Sequence, residues 1–129
     1  MLEIRIDLRD LRRFTKGLEH VGADIIEAAG VGLWEGTNIY IVPQAQAFAP
    51  VGKTGMLQSS IHAEWVSPMR VDIVSNVDYA GYQEFGFYHV RGGYDIEGKY
   101  FVGNAIKLGR PDVENLIVER INETIKGRR

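Results

Sequence analysis

The sequence contains no cysteine, which excludes disulfides, thiolate metal ligands and cysteine nucleophiles while leaving the compartment open. Long apolar runs are missing too. No segment approaches the ~20 apolar residues of a membrane span, and Met1 to Asp10 alternates charged with apolar residues instead of forming a continuous apolar signal segment. Secretion and membrane insertion are therefore not expected. Neither sign of charge dominates: 15 Lys and Arg stand against 17 Asp and Glu, a formal net charge of -2, so any contact with nucleic acid has to be local. Internal repeats and low-complexity tracts are also lacking.

What is present is ordinary globular composition, with 45% hydrophobic and 25% charged residues in 129, enough for one core and one domain spanning 1–129. Leu2, Ile4 and Ile6 alternate with Glu3, Arg5 and Asp7, which predicts a short half-buried strand. Leu8, Leu11, Phe14, Leu18, Val21 and Ile25 then recur at helical steps, leaving Arg9, Arg12, Arg13 and Lys16 on a solvated face. A second helical pattern runs from Ala23 to Phe48. Gly30, Gly32 and Gly36 weaken it, each costing about 1 kcal/mol against Ala, and Pro43 lacks an amide donor, so a bend or break is expected nearby.

Pro50, Gly52 and Gly55 mark turns, and Ile61–Val66 with Arg70–Ser75 reads as a hairpin around Ser67-Pro68. In the second strand Val71 and Ile73 should face the core, and Arg70 and Asp72 the solvent. Residues 86–99, with Gly86, Gly92, Gly93 and Gly98, read as a long loop or flexible hairpin. Phe101 to Leu108 suggests a short element, and Pro111 the first turn of a closing helix with the stripe Val113, Leu116, Ile117, Ile121 and Ile125. The fold class expected is α+β: N-terminal helices and a C-terminal helix packed on a small, mainly antiparallel sheet.

Several motifs invite a chemical reading. Val51-Gly52-Lys53-Thr54-Gly55 resembles the end of a phosphate-binding loop, but the first glycine would fall on Ala47, inside a helical pattern where a strand is required. Gly30, Gly32 and Gly36 are spaced too widely for a dinucleotide fingerprint and fit helix bending or close packing instead. His20, His62 and His89 lack metal spacing. Ser59, Ser60 and His62 are sequence neighbours only, whereas a catalytic triad is a matter of geometry. Tyr79, Tyr82, Glu84 and Phe85 could line a pocket, but aromatics at three-residue spacing more often pack a short helix onto the core, the reading favoured here. No catalytic residue, cofactor or metal site is assigned.

Two segments taken together are more informative. The run Pro50-Val51-Gly52-Lys53-Thr54-Gly55-Met56-Leu57-Gln58-Ser59-Ser60-Ile61, followed by Asp78-Tyr79-Ala80-Gly81-Tyr82-Gln83-Glu84-Phe85-Gly86, resembles the gene-product-ten-like neck and tail-completion family of lambdoid and other tailed phages. The order of elements agrees over about residues 8 to 125: a helical half ending in proline, a Thr-Gly-x-Leu-x-x-Ser-Ile segment, a hairpin, a Tyr-Ala-x-x-x-Glu-x-Gly segment and a closing helix. Phe87 and Tyr100 depart from the family's usual Thr and Pro. Physically, Thr54-Gly55 suits a cap and tight turn, and Leu57 and Ile61 suit burial beneath the sheet. Tyr79 and Phe85 would anchor the second motif, with Ala80 and Gly86 beside them. Glu84 has two open readings, hydrogen-bonded to nearby amides or paired with an arginine across a subunit contact.

The resemblance implies a non-enzymatic structural protein of the virion, synthesised and assembled in the host cytoplasm and placed at the neck or head–tail interface. It would act through contacts with head-completion or connector proteins, the tail terminator or the tail tube, as a homo-oligomeric ring. Contact with packaged DNA stays open. The leading docking element is the 86–99 segment, with Tyr88, Arg91, Gly92, Gly93 and Tyr94 as candidate interface residues. The alternative is a nucleic-acid-binding module using the basic N-terminal helix, with Arg5, Arg128 and Arg129 in support; steep salt dependence would identify it. Because the phosphate-loop register fails at Ala47, purified protein should show no nucleotide turnover; metal-dependent hydrolysis abolished by Lys53→Ala would contradict this.

Overall fold

The computed structural model describes residues 1–10, 21–52 and 55–127. Of the expected helix through Leu8, Leu11, Phe14, Leu18, Val21 and Ile25, the part with Arg12, Arg13 and Lys16 lies outside those residues, as do Lys53, Thr54, Arg128 and Arg129. Its described ends are not one helix, since Leu8 sits in a 3-10 turn, Val21 and extended Gly22 are non-helical, and Ile25 belongs to the next helix. The architecture is α+β. Strand β1 (Leu2–Asp7) runs into a 3-10 turn, Leu8–Asp10. Helix α1 (Ala23–Gly36) continues through a π-helical turn, Thr37–Ile41, into α2 (Val42–Phe48). A short helix α3 (Met56–Ser60) leads to strands β2 (His62–Ser67) and β3 (Arg70–Ser75). Helix α4 (Ala80–Phe85), strands β4 (Gly86–His89) and β5 (Tyr94–Glu97), and the long helix α5 (Phe101–Lys126) complete the chain.

The first sheet is antiparallel in the order β1-β3-β2, with a bulge in β2 between Trp65 and Ser67. Ile4 and Ile6 pair across from Ile73 and Val71, so both strands present their apolar residues to one core face, as period-two alternation requires. The opposite face departs from the expected solvated row. Asp72 is fully buried, because Arg70 grips it through Nε–H to Oδ1 at 2.8 Å and Nη2–H to Oδ2 at 2.7 Å. That guanidinium hydrogen bond holds the Asp72 carboxyl below the ordinary carboxylate range against the opposing pull of burial, and Arg9 does the same for Asp7.

Helix α1 packs more extensively on α5 than any other two elements pack together, and it reaches β3 as well. Its glycines explain how. Gly30 lies against the carbonyl of Pro68, where a Cβ would overlap, and one turn later Trp34 stacks on Trp65 with ring centroids 5.6 Å apart. Gly32 and Gly36 face α5 instead, where a Cβ on Gly32 would stand 2.7 Å from Ile117 Cα and one on Gly36 3.2 Å from Val113 Cα. From α5, a Cβ on Gly109 would stand 2.6 Å from the Tyr40 carbonyl oxygen. Close packing accounts for these glycines.

The break expected near Pro43 takes the form of the π turn. Val42 N–H reaches back to Thr37 O, and Pro43, without an amide proton, sits in the first turn of α2 where no donor is needed. The C-terminal half corrects two expectations. Phe101 to Leu108 is not a separate element, and Pro111 lies inside α5, not at its start. Proline in a helix interior costs about 3 kcal/mol locally, but burial of Phe101, Val102 and Ala105 on one side of it and Val113 and Ile117 on the other keeps the helix continuous. Of the expected stripe, Leu116 and Ile121 are half-buried and Ile125 is exposed.

Two outcomes follow for stability. Gly32→Ala should lower the unfolding free energy by about 1–3 kcal/mol in urea titrations, since the clash outweighs the ~1 kcal/mol gained in helix propensity. Because Asp72 and Asp7 titrate below their unfolded value, their contribution is full above about pH 4 and is lost as pH falls through the depressed folded values. Acid unfolding followed by circular dichroism should therefore steepen below that point, and Asp72→Asn should flatten the profile while lowering stability at neutral pH.

Candidate functional site

After β3, buried Val77 and Ala80 turn the chain into α4. Only Ala80 and Glu84, four residues apart, share the inward face of this short helix. Tyr79, Tyr82 and Phe85 point outward at 42%, 59% and 59% exposure, so they neither anchor the second motif nor pack α4 onto the core. The three-residue spacing does put aromatics on one side of the helix, but that side faces solvent. The inward position goes to a carboxylate that is 1% exposed.

Burying Glu84 is tolerable because both of its oxygens are satisfied. Oε1 accepts the Val102 amide proton at 2.8 Å and Oε2 that of Gly103 at 3.0 Å, two of the unpaired donors at the start of α5. Of the two readings for Glu84, the geometry is the internal one: a side chain from α4 caps α5 and lies against the positive end of its dipole. Tyr100, with φ of 48°, is the one non-glycine residue at positive φ among the described residues and swings the chain so that those amides face Glu84. The join is reinforced by backbone bonds from Lys99 N–H to Gln83 O (2.7 Å) and Tyr100 N–H to Glu84 O (3.1 Å). Gly86 (φ 81°) and Gly98 let the two chain segments cross where any Cβ would meet backbone.

From that crossing projects the β4–β5 hairpin, where a loop or flexible hairpin was expected. Its turn closes through Gly93 N–H to His89 O at 2.8 Å and Gly92 N–H to His89 Nδ1 at 2.9 Å, with Gly93 at positive φ and Arg91 exposed. The Tyr94 ring lies over Gly92 and stacks on His89, centroids 5.0 Å apart. Pairing of Phe87 with Ile96 and His89 with Tyr94 puts these four on one face, where Phe87 meets Tyr82 edge-on. The other face carries Tyr88 opposite Asp95, and Glu97 opposite Gly86. Beside the hairpin an open hollow of about 420 Å³ is lined by Phe85, Phe87, Tyr88, Asp95, Ile96, Glu97 and Tyr100, with Gly86 and Gly98. Thus Tyr88, Arg91, Gly92, Gly93 and Tyr94 all belong to the hairpin, though Gly92 and Tyr94 also build its turn.

The first motif builds a corner. Gly55, at φ of 64°, precedes α3, and Leu57 and Ile61 are buried. Ser60 Oγ lies 2.7 Å from Leu57 O and 2.6 Å from Ser75 Oγ, which ties the corner to β3, and Gln46 Nε2 donates to Ile61 O from α2 near half-buried Pro50. His62 contacts the Ser60 carbonyl and Glu64, not a serine hydroxyl, so no nucleophile–base pair forms. Ala47 falls in α2, where a phosphate loop would need a strand. Among the described residues no group of three or more His, Asp or Glu could hold a metal, and no helix is long and apolar enough to cross a membrane.

The surface residues not anticipated are Phe87, Asp95, Glu97 and Tyr100 together with outward-facing Tyr79, Tyr82 and Phe85. The concentration of aromatics between Tyr79 and Tyr100 was the available signal, with period-two alternation across residues 86–97. Residues 12–86 match the model of a family described as "Bacteriophage HK97-gp10, putative tail-component". That segment takes in both motifs and ends where the hairpin begins, a shorter span than the expected 8 to 125. No curated protein and no solved structure shows significant similarity to the chain. Glu84→Ala would leave two helix-start amides without their acceptor and should lower stability by about 2 kcal/mol or more in chemical denaturation; an unchanged midpoint would contradict the capping role.

Proposed function

Because the chain belongs to the HK97 gp10-like family of bacteriophage tail components, we propose that it is a non-enzymatic neck or tail-completion protein that helps join head to tail. It acts as one domain over residues 1–129, through protein–protein contacts in a cyclic ring, with connector or tail proteins on either side. The observation that carries this reading is the cluster of exposed aromatics on α4 and the hairpin, Tyr79, Tyr82, Phe85, Phe87, Tyr88 and Tyr94, on a scaffold clamped to α5 by Glu84. Aromatic side chains that stand exposed on both faces of the hairpin and on α4 are the residue type that dominates interface energetics. A stable contact needs roughly 800 Å² per partner, and exposed rings supply area with little side-chain entropy to lose.

The charge balance of -2 and the pairing of Arg9 with Asp7 favour this reading over a nucleic-acid module. The test is complementation of a phage lacking the gene. Tyr88→Ala, on an exposed ring outside the hairpin's own stacking, should give soluble protein of unchanged stability yet fewer infectious particles, with filled heads and separate tails accumulating. Leu57→Ala, a buried control, should cost about 2–5 kcal/mol of stability. Fully joined virions in the absence of the gene would refute the proposal.

A further inference from the structure

Resting on the ring reading above, we infer that the hollow beside the hairpin receives the basic run Lys126-Gly127-Arg128-Arg129 of a second copy of this chain. The hollow has the chemistry of a cation acceptor. Phe85, Tyr88 and Tyr100 line it, and Asp95 and Glu97 are exposed carboxylates with no ion pair or hydrogen bond among the described residues. A guanidinium stacks on aromatic faces while its fork engages carboxylates, so aromatic walls beside unpaired acids suit arginine better than any neutral group. Lys99, the nearest cation along the chain, does not line the hollow.

Geometry decides between self-docking and docking in trans. Tyr100 both lines the hollow and immediately precedes α5, so the hollow sits at one end of that helix and Lys126, the first residue of the basic run, at the other. From Val102 to Lys126 the helix axis covers about 36 Å, whereas residues 126–129 reach at most about 14 Å even when extended. The basic run therefore cannot return to its own hollow. Donor and acceptor at opposite ends of one rigid helix make a head-to-tail contact, the type that closes into a ring when the rotation between copies permits.

The experiment is sedimentation velocity on the full chain at low and high salt, with paired charge reversals at exposed positions. Asp95→Lys with Glu97→Lys, or Arg128→Glu with Arg129→Glu, should each weaken self-association by roughly tenfold or more, and all four together in one chain should restore it. Added salt should weaken the wild-type contact. Association unaffected by both pairs, loss on Arg12→Glu with Arg13→Glu instead, or a wild-type chain monomeric at every concentration reached would each overturn the inference. The same variants in phage complementation separate it from the proposed function. If the gene is needed for joined virions but both pairs support normal yield, only this contact falls; if the gene is dispensable, the neck role falls.

Discussion

The antiparallel approach of α1 and α5 is the contact from which the rest of the arrangement follows. Gly32 against Ile117, Gly36 against Val113 and Gly109 against the Tyr40 carbonyl repeat the contact at each helical turn, with a glycine on one side or the other every time. At this separation the helices touch through backbone, so dispersion contacts accumulate along the seam and neither helix can slide or rotate without collision. The π turn and Pro111 are tolerated within it because irregularity on each helix is held by packing on the other.

Fixing α5 against α1 also fixes what lies at its start. The buried Phe101, Val102 and Ala105 set where the first amides of the helix point, and Glu84 is positioned to receive two of them. A carboxylate in that position could not otherwise be withdrawn from water. On the sheet, Asp72 depends on Arg70 in a comparable way. In both places a buried acid is stabilised by hydrogen-bond donors of the same chain, two residues away for Asp72 and across the α4–α5 join for Glu84.

How much of this could be read from the chain depended on how local its cause was. The strand Leu2–Asp7, the hairpin of β2 and β3, and the inward positions Leu57, Ile61, Val113 and Ile117 follow from periodicity, which acts over a few residues. The glycines of α1 were legible as helix bending or close packing; which of the two, and against which partners, was not. The passage of α5 through Pro111 was not, because the local cost is visible in sequence while the compensating burial of Phe101 and Ile117 is tertiary. The outward turn of Tyr79, Tyr82 and Phe85 was hidden for a related reason: Glu84 wins the inward position through amides of residues 102 and 103, which no side-chain pattern advertises. The hairpin residues Tyr88, Arg91, Gly92, Gly93 and Tyr94 were anticipated as a segment; the pairing that sorts them onto faces was not.

The clamp between α4 and α5 has a mechanical consequence. The hairpin hangs from two strands crossing at Gly86 and Gly98, and its root is bonded to a helix of 26 residues through Glu84 and the amides of Val102 and Gly103. A tug on the hairpin loads those bonds together and passes into α5 through its peptide groups, which the seam with α1 braces along its length. The molecule thereby resembles a strut with a hook at one end: strain entering at the hook is carried along the shaft and shared by the body of the domain.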